Sequence, residues 1–230
     1  MSQPYYQDDR VTLYHGDCLE IDAWVKADVL VTDPPYGIGH RDGRAPESVR
    51  RRAERSYRAI VNDSDTAIRD TVLDMWGPDR PGLVFGHWRR LRPINTRQRL
   101  LWWKTSGVGP VSGRTHPWVT VDEEIYVIGR SMSQFASDKA DLNVYRTREN
   151  RSQQATVIGH PTTKPVALMD QLIRKCPPGV IADPFAGSGS TLVAARNLGR
   201  EAIGVEIEEH YCELIARRLD QMCFDFEVYG

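Results

Sequence analysis

Nine residues, Val29-Leu30-Val31-Thr32-Asp33-Pro34-Pro35-Tyr36-Gly37, constrain this chain more than any others. The first four are apolar or β-branched and read as a buried strand, and two prolines stop it at once. Each proline holds the residue before it extended, so neither Asp33 nor Pro34 can enter a helix. The product is a stiff tip at the carboxyl end of a strand, presenting a carboxylate, a backbone carbonyl and an aromatic ring. Open α/β sheets bind their ligands at that end.

The pattern around this tip is strand, helix, strand, repeated, which predicts an α/β fold with a mostly parallel sheet. Val11–Tyr14 reads as a strand closed by His15-Gly16-Asp17-Cys18, and 19–26 as a brief helix or turn. Asp17, taken by itself, suits a turn or a helix cap as well as a ligand site. A helix is expected over 66–76, stopped by Gly77-Pro78. Strands are expected over 81–86, 100–104 and 124–128, with a loop over 105–117. Residues 129–160 lose apolar character and read as an insertion outside the main sheet. A helix over 166–175, started by Pro165, precedes the strand that begins at Val180. The chain closes with a helix over 191–198, a strand over 201–206, a helix over 210–222 and a strand over 224–228. At 230 residues this is one domain with a core of its own.

Composition decides less. The formal net charge of −1 argues neither for nor against a nucleic-acid partner. Of 30 basic residues only five are Lys, and Arg is the better residue for phosphate forks and base edges. A GC-rich coding genome explains the same bias. The arginines concentrate in 37–62, an expected mobile loop beside the tip that carries Arg44, Arg50, Arg51, Arg52 and Arg55, and again over 87–99 with Arg89 and Arg90. Such a segment is either a solvated charged loop or one that orders over a phosphate backbone. Cys18, Cys176, Cys212 and Cys223 show no metal-ligand spacing and suit reduced thiols in the cytoplasm. No signal peptide or membrane-spanning run is expected.

The second informative stretch is Asp183-Pro184-Phe185-Ala186-Gly187-Ser188-Gly189, a strand end and glycine turn that open onto a helix. Gly187 and Gly189 let backbone approach a ligand at a helix mouth. A dinucleotide fingerprint would place a third Gly at position 192, where Leu192 stands, so a smaller nucleoside ligand suits the turn better. Glu206 follows Asp183 by 23 residues at the end of the next strand, a spacing that suits a carboxylate on two ribose hydroxyls. An ordinary β–α turn has the same outline.

Together these pieces resemble the amino-group DNA methyltransferases, which methylate N6 of adenine or N4 of cytosine from S-adenosylmethionine. Asp33-Pro34-Pro35-Tyr36 matches their catalytic motif, and Asp183 to Gly189 their cofactor motif. His160-Pro161-Thr162-Thr163-Lys164-Pro165 is similar to the segment ahead of the cofactor strand. The resemblance implies a Rossmann-like methyltransferase sheet with helices on both faces and circularly permuted motif order, the catalytic motif coming first. It implies catalytic roles for Asp33, Pro34, Pro35 and Tyr36. Cofactor contacts would come from Asp17, Cys18, Asp33, Thr163, Lys164, Asp183, Phe185, Gly187, Ser188, Gly189, Glu206 and Ile207. Residues 129–160 fall where the family carries a target-recognition insert, which in this chain is short. The implied partner is double-stranded DNA, in a bacterial or phage setting, with a separate restriction endonuclease or none and with a homodimer as an option. No metal is implied.

The chemistry explains the residue types. An exocyclic amino group is a poor nucleophile because its lone pair is delocalised into the ring. The Asp33 carboxylate and the Pro34 carbonyl, accepting its two hydrogens, would localise that pair. The base must leave the duplex to reach the tip, where Tyr36 would stack on it. Asp at the head of the quartet favours adenine, since N4-cytosine enzymes more often carry Ser there. A cofactor-binding module without activity is the alternative outside catalysis.

Overall fold

The computed structural model describes residues 3–38, 65–104, 121–135, 141–147 and 163–227, with side chains through Gln221. These residues form a nine-stranded sheet. Its strands are β1 (Tyr6–Gln7), β2 (Val11–His15), β3 (Val29–Thr32), β4 (Gly82–Gly86), β5 (Thr96–Lys104), β6 (Asp122–Ile128), β7 (Val144–Thr147), β8 (Ile181–Asp183) and β9 (Ala202–Glu206). They lie in the order β1-β2-β9-β8-β3-β4-β6-β5-β7. The block from β2 to β4 is parallel throughout. β6 runs against both β4 and β5, β7 runs with β5, and β1 runs against β2. The sheet is therefore mostly parallel, and the reversal of β6 brings an amino end to the edge where the parallel strands finish.

Alternation along the strands sorts the core into two faces. Val29 and Val31 of β3 pack with Val11 and Leu13 on one face, under α2 (Val166–Ile173), α3 (Ser190–Asn197) and α4 (Glu209–Glu227). Leu30 faces the other way with Val84, Ala182 and Val205, against the 3₁₀ turn Ala23–Lys26 and α1 (Ala67–Trp76). There Trp24 and Trp76 are both fully buried, with stacked rings 6.2 Å apart. Helices on both faces and a parallel centre meet the expected α/β architecture.

Three expectations need correction. Residues 129–160 are not wholly outside the main sheet, because Val144–Thr147 pairs with β5 as its edge strand. Four residues are too few to reveal alternation, and the strand is held by its neighbour: the buried Trp102 indole N–H donates to Thr147 Oγ1 at 2.9 Å. β5 begins at Thr96 rather than residue 100, so its first turn of sequence is basic and exposed. The strand expected over 224–228 is instead the end of α4, which runs to Glu227. Extending a helix already formed adds a hydrogen bond per residue with no new nucleus. The loop expected over 105–117 lies outside the described residues.

Leu192, which stands where a dinucleotide fold would have glycine, is fully buried against β9. The close approach is made from the other partner: a Cβ on Gly204 would lie 2.7 Å from Leu192 Cδ1. Gly204→Val should therefore force α3 off the sheet and destabilise the protein by about 1–3 kcal/mol. Thermal unfolding should show a fall of roughly 2–4 °C per kcal/mol for a chain of this size. An unchanged midpoint would contradict this packing.

Candidate active site

Four adjacent parallel strands each end in an acid: β2 leads to Asp17, β9 ends at Glu206, β8 at Asp183, and β3 leads to Asp33. Strands lie about 4.8 Å apart, so this row spans roughly 14 Å along one edge. Such a length suits a nucleoside carrying a side arm. A row of carboxylates would repel a pyrophosphate and favour a ligand that bears positive charge.

The two central acids differ in what they hold. Asp183 is buried, and its Oδ1 accepts from Thr32 Oγ1 at 2.8 Å and from the Phe185 N–H at 3.2 Å. It braces the glycine turn from beneath, and burial pushes its pKa up to about 6. Glu206 is also buried, yet its two oxygens take one backbone donor each. Gly187 N–H donates to Oε2 at 2.7 Å and Glu208 N–H to Oε1 at 2.9 Å. Each oxygen keeps a further lone pair, so the carboxylate can accept from a ribose diol. Burial raises its pKa to about 7. Gly187 and Gly189 have φ of 53° and 77°, which glycine adopts without strain. Leucine in place of a third glycine has not closed this turn.

The outer cofactor candidates divide. The Asp17 carboxylate accepts from the Leu19 N–H at 2.9 Å, the turn-capping role weighed for it, and is half-buried. Ile207 is exposed beside Glu206, an apolar surface free for a ring. The Cys18 thiol is buried in the core, its pKa pushed up to about 12 by burial, so only the backbone of Cys18 reaches the edge. Phe185 is half-buried at the turn, and Ser188 is buried with its Oγ 3.3 Å from Ser190 Oγ.

At the tip, Asp33 is partly buried and both of its oxygens are engaged. Tyr36 Oη donates to Oδ1 at 2.8 Å, and Lys164 Nζ donates to Oδ2. Thr163 is half-buried and precedes Lys164, which is 6% exposed. Burial raises the pKa of Asp33, against the pull of Lys164. Burial alone would lower that of Lys164, but Asp33 and Glu123 more than offset it and keep the ammonium charged. Pro34 is buried, while Pro35 and Tyr36 are half-buried. Gly37 ends the tip at φ 72°, where a Cβ would meet the Asp65 backbone at 2.3 Å.

Glu123 was not anticipated. It is the second residue of β6, and the reversal of that strand delivers it to the tip, where its Oε2 lies 3.1 Å from Tyr36 Oη and 3.3 Å from Lys164 Nζ. The run Asp122-Glu123-Glu124 was the available signal, but nothing local says which edge such a run will reach. The basic residues fare unevenly. Arg89 is exposed, its guanidinium 5.1 Å over the Trp88 ring. Arg90 reaches back to the Gly37 carbonyl and so fastens the segment after β4 to the tip. Arg44, Arg50, Arg51, Arg52 and Arg55 lie outside the described residues.

The chain is similar to proteins of one known family. A family model described as DNA methylase, of the N6/N4 type, matches residues 102–217. Among curated relatives, "Putative methylase YubD" of Escherichia coli K12 is 29% identical over 223 residues, spanning 89% of this chain and 88% of the relative. The type II methyltransferase M.ScaI of Streptomyces caespitosus is 25% identical, over 96% and 84%. Among solved structures, M1.HpyAVI superposes with a TM-score of 0.63 at 20% identity, over 91% of this chain and 98% of that one. The cytosine-N4-specific PvuII DNA methyltransferase gives 0.65 at 16%, over 94% and 88%. At such identities the structural likeness speaks to the fold alone. The chain belongs to the DNA methylase family, whose members are S-adenosylmethionine-dependent amino-methyltransferases.

The Glu206 geometry generates a test. If its ionised form accepts from a ribose diol, S-adenosylmethionine affinity should fall as pH drops through about 7, where the carboxylate takes up its proton. Glu206→Gln should weaken binding by about 1.5–3 kcal/mol, the worth of hydrogen bonds to a charged group, and should abolish the pH dependence. Calorimetric titration between pH 5.5 and 8.5 reads both. A pH-independent wild-type affinity would remove Glu206 from the role.

Proposed function

We propose that this protein transfers a methyl group from S-adenosylmethionine to the N6 amino group of adenine flipped out of double-stranded DNA. The observation that carries the reading is the adjacency of β3 and β8, which sets the Asp33-Pro34 tip beside the glycine turn of the nucleoside site. The donor set fits the cofactor: Glu206 for the ribose, Ile207 and the Asp17 turn for the adenine ring, and the Gly187–Gly189 turn with Thr163 and Lys164 toward the amino-acid arm. When bound, S-adenosylmethionine supplies an activated methyl on a sulfonium, which the row of carboxylates favours.

The chain's own residues do the rest. Asp33 and the Pro34 carbonyl accept the two amino hydrogens and draw the nitrogen toward a tetrahedral, nucleophilic form. The fixed φ of Pro34 aims that carbonyl without further ordering. As the nitrogen gains its methyl it becomes cationic, and the carboxylate of Asp33 takes the proton it sheds. The raised pKa of Asp33 suits that acceptance. Tyr36 presents a ring for the base to stack on, a contact worth about 1–3 kcal/mol.

Adenine is favoured over cytosine by the aspartate that heads the quartet. The "DNA adenine methyltransferase YhdJ" of Escherichia coli K12 supports the same choice, being 44% identical over 63 residues, 26% of this chain. DNA binding draws on Arg89, on the arginines of 37–62 and on a recognition segment within 129–160. The protein acts in a bacterial cytoplasm as the modifying partner of a separate endonuclease or alone, as a monomer or homodimer.

Incubation with S-adenosylmethionine and unmethylated duplex DNA, followed by digestion and mass spectrometry of the nucleosides, should yield N6-methyladenine. N4-methylcytosine would overturn the choice of base, and no methylated nucleoside would overturn the activity. Asp33→Ala should reduce transfer by at least about 100-fold. It should leave cofactor affinity within a few-fold, because Lys164 retains Glu123 as an ion-pair partner. Retained turnover in that variant would refute the mechanism.

A further inference from the structure

Two hydrogen-bond donors at the tip are each shared between two carboxylates. The Tyr36 hydroxyl lies 2.8 Å from Asp33 Oδ1 and 3.1 Å from Glu123 Oε2. The Lys164 ammonium touches Asp33 Oδ2 and lies 3.3 Å from the same Glu123 Oε2. The other Glu123 oxygen, Oε1, is held by Lys104 Nζ from the end of β5. Glu123 is therefore anchored on one side and offers its second oxygen to the pair of donors that also serve Asp33.

A hydroxyl carries one proton and can make only one good hydrogen bond at a time. Tyr36 must point at Asp33 or at Glu123, which makes the cluster a two-position device. While the Tyr36 proton and the ammonium are both turned to Asp33, they draw on the electron density that Asp33 needs to accept an amino hydrogen. Turned to Glu123, they leave Asp33 more basic and its lone pairs open. Both carboxylates are already within reach of both donors, so the change needs only small rotations of one hydroxyl and one ammonium.

From this geometry we infer that Glu123 is a positioning residue for methyl transfer: it receives the Tyr36 and Lys164 donors when the target amino group engages Asp33. The inference rests on the proposed methyltransferase reading and assigns a part of that site which neither motif contains. Glu123 touches neither base nor cofactor in this scheme. It acts through Tyr36, Lys164 and Asp33.

The charged and titratable groups around Asp33 are Lys164, Glu123, Tyr36 and Asp183, while Lys104 and His87 face Glu123 from β5 and the end of β4. The negative charge of Glu123 raises the pKa of Asp33. Its removal lowers that pKa, so the acid limb of the rate profile must move to lower pH. His87, whose pKa burial already lowers, loses a charge that raises it in the same variant, so its pKa falls further.

The test measures single-turnover methyl transfer to duplex DNA against pH, together with S-adenosylmethionine affinity and thermal unfolding, for wild type, Glu123→Gln and Glu123→Asp. In Glu123→Gln the rate should fall by about tenfold to 100-fold, the cost of a misplaced reacting group. Its acid limb should shift to lower pH, with cofactor affinity within twofold. Glu123→Asp keeps the charge at a shorter reach, so it should recover part of the rate and keep the wild-type limb, and it carries the test if Glu123→Gln does not fold. An unchanged rate in Glu123→Gln would overturn the inference. So would a lower rate with an unmoved limb, or an Asp variant that mirrors the Gln one. Absence of transfer by the wild type would instead fail the function itself, and this inference with it.

Discussion

The site depends on one buried hydrogen bond. Thr32 and Asp183 end neighbouring strands, and the 2.8 Å contact from Thr32 Oγ1 to Asp183 Oδ1 ties the strand that carries the Asp33-Pro34 tip to the strand that carries the glycine turn. The same carboxylate oxygen takes the Phe185 N–H, so it also shapes the turn itself. A buried carboxylate is costly unless its lone pairs are met. Meeting them here fixes two loops with respect to each other. The distance between the two halves of the site is set in the sheet and not by the loops above it.

Burial gives the neighbouring acids different characters. Asp183 is enclosed and serves the backbone. Glu206 is enclosed but keeps a lone pair on each oxygen. Asp33 is partly open and shares its charge with a buried ammonium. Three carboxylates of the same chemistry are thus set apart by their surroundings: one braces the turn, one keeps lone pairs to spare, and one pairs with an ammonium. Lys164 holds the tip together without neutralising the edge, because the row of acids outnumbers it there.

Most of this was legible in the sequence because it is local. The double proline after Val29–Thr32, the glycine turn after Ala182 and the acid after Val205 each declare a strand end through residues within a few positions of one another. Glu123 and Lys104 were not legible, since their place depends on β6 running backwards between β4 and β5. That is a property of the sheet, and nothing in Asp122-Glu123-Glu124 records it. β7 escaped notice for a related reason: its four residues draw their order from Trp102, over forty positions away. The tail that alternates as a strand is helix, because lengthening α4 needs no new nucleus. At Cys18 the motif position implies a cofactor contact, and the thiol itself lies in the core.

The strand order has a further consequence for how the chain is made. β8 and β9 fill the gap between β2 and β3, so the centre of the sheet is supplied by residues 181–206. Thr32 leaves the ribosome 151 residues ahead of Asp183, which at usual synthesis rates is a wait of roughly 8–30 s. During that interval β2 and β3 have unpaired inner edges of apolar, β-branched residues, the kind of surface that recruits other strands. A nascent chain of this design carries its catalytic quartet early and its scaffold late. Until β9 is made, the sheet lacks its centre, and both flanking strands keep an edge open to other strands.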